Sequence, residues 1–160
     1  MKKSNNKKGF TLVELVIVVA VIAILSAILI PTIGTVIKDA KDAAVKSDLR
    51  TVITNEMVDS ETDVPAGYFF YKEKATDTAY TYVLYWNGSE VTIYESNELK
   101  LKLGDSETET TVATTTTDST TSKITVTAKT DVTNYAIAVD TFAGKFDTLK
   151  ITQSASTENP

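Results

Sequence analysis

Residues 9–34 of this 160-residue chain are GFTLVELVIVVAVIAILSAILIPTIG, and the placement of that stretch decides the fold. From Phe10 to Ile30 only Thr11, Glu14 and Ser26 are not apolar. As an α-helix rising about 1.5 Å per residue, the run is about 30 Å long, the thickness of a bilayer core. It therefore predicts a transmembrane helix. A secretory signal peptide shares the basic start, but its apolar region is about 7–15 residues long and ends in a small-x-small cleavage site. No two of Ala, Gly and Ser stand two positions apart between Phe10 and Pro31.

Charge orients the segment. Lys2, Lys3, Lys7 and Lys8 precede the apolar run and none falls within it, which keeps the N-terminus on the cytoplasmic side and puts the remainder outside the cell membrane. With four of the 16 basic residues spent there, the rest of the chain is strongly acidic, since all 21 acidic residues follow Phe10. An acidic body repels nucleic-acid backbones, so no direct nucleic-acid binding is predicted.

The chain has no cysteine and no histidine, which excludes disulfides, thiolate metal sites and the commonest general base. No nucleophile–base pair, phosphate loop or metal constellation can be found, so no catalytic residue, metal or cofactor is predicted and the chain is not expected to be an enzyme. With 42% apolar residues, a chain of this length builds one globular domain with its own core.

Glu14 lies inside the apolar run, where a carboxylate costs about 2.5–3.5 kcal/mol near mid-membrane. Either it reaches water by itself, being close to the start of the run, or it meets a positive charge in the bilayer or in an assembly.

The run Gly9-Phe10-Thr11-Leu12-Val13-Glu14-Leu15, with its short lysine-rich leader and the apolar stretch to Pro31, resembles the N-terminus of type IV pilins and their pseudopilin relatives. The resemblance covers about the first 35 residues and implies several things. A prepilin peptidase would cut between Gly9 and Phe10, and the new N-terminus at Phe10 would be N-methylated. Glu14, with Thr11 beside it, would act in assembly, the carboxylate pairing with the Phe10 amine of its own or a neighbouring subunit. The partners implied are other pilin subunits in a helical filament, the peptidase, the pilus assembly machinery and the membrane. The expected location is the cell membrane first, with a single pass, and an extracellular pilus after assembly. Two readings of function follow: a structural subunit of a type IV pilus, or a pseudopilin of a type II secretion or competence DNA-uptake system. A membrane-anchored monomeric binding domain would need neither the junction nor Glu14.

Pro31 removes an amide donor and disfavours helical geometry at Ile30, and Gly34 follows three residues on. A helix break or bend is expected at Pro31 and Gly34, and the resemblance adds that this region loosens on assembly. The domain boundaries predicted are a leader over residues 1–9, a membrane and filament-core helix over 10–34, and a globular domain over 35–160.

Within that domain, Ile33, Ile37, Ala40, Ala44, Leu49, Val52, Ile53 and Met57 recur at helical spacing among charged residues, predicting an amphipathic helix over 35–58. Period-two alternation then marks strands around Tyr80–Trp86, Val91–Tyr94, Leu99–Leu103, Ile124–Lys129, Tyr135–Val139 and Phe146–Thr152. Asn87-Gly88 signals a hairpin turn and Ala143-Gly144-Lys145 another. The fold class is α+β, a long N-terminal helix packed on an antiparallel sheet of about four to seven strands. Thr108–Thr121, nine of whose fourteen residues are Thr, reads as an exposed mobile loop, with O-linked sugar as the sharper alternative. Scattered aspartates, Asp105, Asp118, Asp131, Asp140 and Asp147, read as solvated turns rather than a calcium site. Many pilins pin their C-terminal region with a disulfide; this chain lacks one, as Gram-positive relatives commonly do.

Overall fold

The computed structural model describes residues 9–154 apart from 131 and 133; residues 1–8 of the expected leader and the turn assigned to Asp131 lie outside the described residues. A single helix, α1 (Leu12–Ser60), precedes eight strands: β1 (Gly67–Tyr71), β2 (Tyr82–Trp86), β3 (Val91–Ile93), β4 (Glu98–Lys102), β5 (Glu109–Thr117), β6 (Ile124–Ala128), β7 (Tyr135–Ala143) and β8 (Phe146–Gln153). The chain divides into two compact units, Met1–Asp42 and Ala43–Pro160.

In the first unit the helix is apolar on every side, the signature of a membrane span or an assembly core. Its large apolar side chains are exposed throughout, from 50% at Val21 to 78% at Leu12. Near the N-terminus α1 is long and apolar enough to cross a membrane. The helix runs through Pro31 and Gly34 without interruption. Pro31 cannot donate to the carbonyl of Ala27. Nearby hydroxyls supply other donors: Thr32 Oγ1 donates to the carbonyls of Ile28 (3.2 Å) and Leu29 (2.9 Å), and Thr35 Oγ1 to that of Thr32 (2.8 Å).

In the second unit the end of α1 lies on one face of a five-stranded antiparallel sheet ordered β3-β2-β1-β8-β7, and a three-stranded sheet ordered β4-β5-β6 covers the other. The helix contributes Val45, Leu49 and Ile53, four residues apart, to a core with Phe69, Leu84, Trp86, Val91 and Phe146. The stripe expected from the sequence is thus rotated: Val45 is buried while Ala44 is exposed, and Ile33 and Ile37 stay exposed. Tyr68, Phe70 and Val83 point the opposite way and meet Leu99, Leu103, Val112 and Ala113 in a second core.

Two sequence expectations are corrected. The sheet is not single, and the Thr-rich segment is not a loop. Glu109–Thr117 is the central strand of the smaller sheet, with Val112 and Ala113 wholly buried and Thr115 nearly so. Threonine is β-branched and fits a pleated, half-buried surface, so its low hydropathy does not argue for disorder here. The Asn87-Gly88 turn is as expected, joining β2 to β3 with Gly88 at φ 94° and Asn87 Oδ1 accepting from the amides of Ser89 (2.9 Å) and Glu90 (2.7 Å). Gly104 adopts φ 58°, a conformation that strains any side-chain-bearing residue, and a Cβ there would displace the Tyr135 hydroxyl.

One phenol ties the sheets together. Tyr68 on β1 donates its hydroxyl to the Lys100 carbonyl (3.0 Å) and accepts from the Lys100 amide (3.2 Å). The β4–β5 register shifts between Leu99 and Lys100, the place where the hydroxyl engages the β4 backbone. Burial, helped by the neighbouring Tyr94, raises the Tyr68 phenol well above its usual range. Because the folded chain holds that proton more tightly than the unfolded one, the contribution is intact below about pH 10 and declines as pH rises further. Tyr68→Phe should cost about 1–3 kcal/mol at neutral pH by stranding the Lys100 groups. It should also flatten the alkaline fall in stability, both read by urea unfolding at pH 7 and above pH 10 in detergent.

Candidate functional site: the helix N-terminus

Two of the residues singled out from the sequence, Thr11 and Glu14, come together at the start of α1. Thr11 precedes the first helical residue and Glu14 stands in the first turn. Their contacts are reciprocal: the Glu14 amide donates to Thr11 Oγ1 (3.2 Å), while the Thr11 amide (3.3 Å) and hydroxyl (3.1 Å) donate to Glu14 Oε2. This is a capping box, which satisfies amides that would otherwise lack partners at a helix start. The carboxylate also faces the positive end of the helix dipole, a contribution of about 0.3–1 kcal/mol.

Sequence reasoning missed this local role. Thr11-Leu12-Val13-Glu14 before an apolar run has the S/T-x-x-E signature of such a cap. Attention to the membrane cost of Glu14 hid it. The cap adds a local role to the two readings weighed from sequence: the helix's own first turn engages the carboxylate through Oε2.

Phe10 is exposed beside the cap, and a methyl group added at Gly9 would meet nothing within 4 Å. The fold of this chain places no steric demand for glycine at position 9. The same holds at Gly34, which lies about 35–40 Å along the axis from Gly9 at helical rise. Pro31 and Gly34 thus stand apart from the junction at the far end of the apolar run. Among the described residues no group of three or more His, Asp or Glu could hold a metal ion.

A basic N-terminus and an apolar helix, long enough to cross a membrane and capped by its own carboxylate, fit a membrane-anchored chain. Residues 4–30 match the prokaryotic N-terminal methylation motif. The chain is 50% identical over 49 residues to the type IV wide pilus major component of Thermus thermophilus, a match covering 31% of this chain and 37% of that relative. No solved structure matches the chain. Residues 4–30 are thus similar to the N-terminal methylation segment of prokaryotic prepilins, and 49 residues of the chain are similar to a type IV pilus component.

Thr11→Ala should remove the cap's hydroxyl and loosen the first turn, at a cost of about 1 kcal/mol. In detergent micelles, hydrogen exchange should quicken at the amides of Leu12–Glu14 and stay unchanged around Leu49.

Proposed function

We propose that this chain is a structural subunit of a type IV pilus, cut by a prepilin peptidase between Gly9 and Phe10 and built into a filament through residues 10–34. The carrying observation is the pairing of an exposed, all-round apolar helix with a carboxylate fixed in its first turn. An apolar surface of that kind has two favourable surroundings, lipid and the apolar helices of other subunits, and passage between them needs little desolvation. The pilus named for the relative supports a filament over a secretion pseudopilus.

Cleavage would turn the Phe10 amide nitrogen into an amine at the mouth of the capping box. The Thr11 bonds fall on Glu14 Oε2, which leaves Oε1 to receive that amine from the same or an adjacent subunit. An ion pair in lipid holds only when both charges meet, so docking out of register leaves a carboxylate uncompensated. Freedom from steric demand at Gly9 supports the peptidase as the reason for its small residue. Loosening at Pro31 and Gly34 belongs to the assembled state in this proposal, because the Ala27 carbonyl lacks its usual amide donor there. Residues 35–160 form the globular part, which acts in display and carries no catalysis.

Two outcomes test this reading. In cells with a prepilin peptidase, intact-mass analysis should find a chain beginning at a methylated Phe10; a chain still starting at Met1 overturns the processing step. With Glu14→Gln as the sole subunit, the mature protein should accumulate in the membrane while sheared fibres fall at least tenfold, about 1.4 kcal/mol of lost pairing. Normal fibre yield would sink the pairing.

A further inference from the structure

Lys72, immediately after β1, and Asp147, near the start of β8, meet where the first and last strands of the domain pair. Lys72 Nζ lies 2.6 Å from Asp147 Oδ2, and the two side chains keep only 14% and 9% of their exposure. Tyr80 donates its hydroxyl to the same oxygen at 2.7 Å, and the Lys72 ammonium sits 5.5 Å from the centre of the Tyr80 ring. Phe70 packs on Tyr80, and Tyr71 on Phe146, so aromatic rings surround the group. The other ion pairs among the described residues are all far more exposed.

We propose that Lys72 and Asp147 condense into an internal amide that joins β1 to β8. An amine and a carboxyl group in contact, held by adjacent strands and screened from water, are placed for acyl transfer by proximity alone. One ammonium proton passes to Oδ2, and the Nζ lone pair then attacks Cγ. A second proton follows from Nζ to Oδ2, the Cγ–Oδ2 bond breaks, and water leaves. One C–N bond replaces one C–O bond, two of the three ammonium hydrogens depart with the oxygen, and no oxidant, reductant or co-reactant is required. The Tyr80 hydroxyl, still donating to Oδ2, polarises the Cγ–Oδ2 bond and helps that oxygen depart as water, while the charge of the tetrahedral centre develops on Oδ1. Burial raises the Tyr80 phenol above its usual range, with Asp147 adding to the effect, which keeps that donor proton in place. A chain without cysteine would gain a covalent clamp across 75 residues of sequence, closing the domain where it is otherwise held by packing and backbone hydrogen bonds.

The test uses the full chain made in cells lacking a prepilin peptidase, so that the leader stays and the expected mass is that of the sequence. The folded protein should be lighter by one water, and proteolysis should release a branched peptide containing both Lys72 and Asp147. Lys72→Arg keeps the ion pair but offers no nucleophile of comparable reach, and it should restore the full sequence mass and lower Tm. Tyr80→Phe should slow the loss of water without abolishing folding, shown by retained near-UV circular dichroism. A folded chain at full sequence mass overturns the proposal. So does a loss of water with no branched peptide, which would indicate a cyclic imide formed by one aspartate with its own backbone.

Discussion

Strand β1 carries side chains into two separate cores, and the second unit depends on that double duty. Phe69 goes to the helix side, whereas Tyr68 and Phe70 go to the smaller sheet. Covered on both faces, β1 is also paired on both edges, with β2 on one side and β8 on the other. Shifting it by one residue would exchange every side chain between the two cores. The Tyr68 hydroxyl adds a polar stop to this register, because it reaches the Lys100 backbone only in one alignment. Helix and smaller sheet are both placed by the strand between them, and neither could bury its apolar surface without it.

Around that centre, polar groups meet specific partners. Trp86 Nε1 donates to the Val64 carbonyl (3.1 Å), fixing the chain between α1 and β1, and Thr148 Oγ1 donates to the Tyr68 carbonyl (3.0 Å). Tyr80, outside the named strands, exchanges backbone bonds with Ile124 (2.9 and 2.7 Å) and so attaches the segment before β2 to the edge strand β6. Each bond satisfies a buried group that would be costly to strand and crosses between elements distant in sequence. The layers are therefore bound by directional contacts as well as by area.

Legibility in the sequence followed the range of the physics involved. The apolar run, the Asn87-Gly88 turn and the alternating strands β6 and β8 are local patterns, and they appear where expected. Strand β1 was missed because Tyr68-Phe69-Phe70-Tyr71 does not alternate: a strand buried on both faces loses the period-two signal. Strand β5 was missed for the opposite reason, since a run of threonine looks soluble until other strands cover it. The rotation of the α1 stripe from Ala44 to Val45 depends on what the sheet presents, which no helical periodicity contains. At the N-terminus the spacing of Thr11 and Glu14 carries the cap in plain sequence, but the membrane cost of a carboxylate in an apolar run masks that local role. The Lys72–Asp147 contact joins residues that only the completed sheet brings together.

Strand order also sets a timetable for synthesis. Because β8 is inserted between β1 and β7, the larger sheet cannot close until β8 has left the ribosome. By then the apolar helix, made first, is already available for insertion. Central pairing of the first strand with the last makes the contacts unusually long in sequence, and such topologies form slowly. In the interval, the aromatic strand β1 has one edge without its partner, the kind of exposed template on which neighbouring chains aggregate. A nascent chain tethered singly in a bilayer meets few neighbours during that wait, so the anchor that precedes the domain also keeps its unfinished sheet from finding the wrong strand.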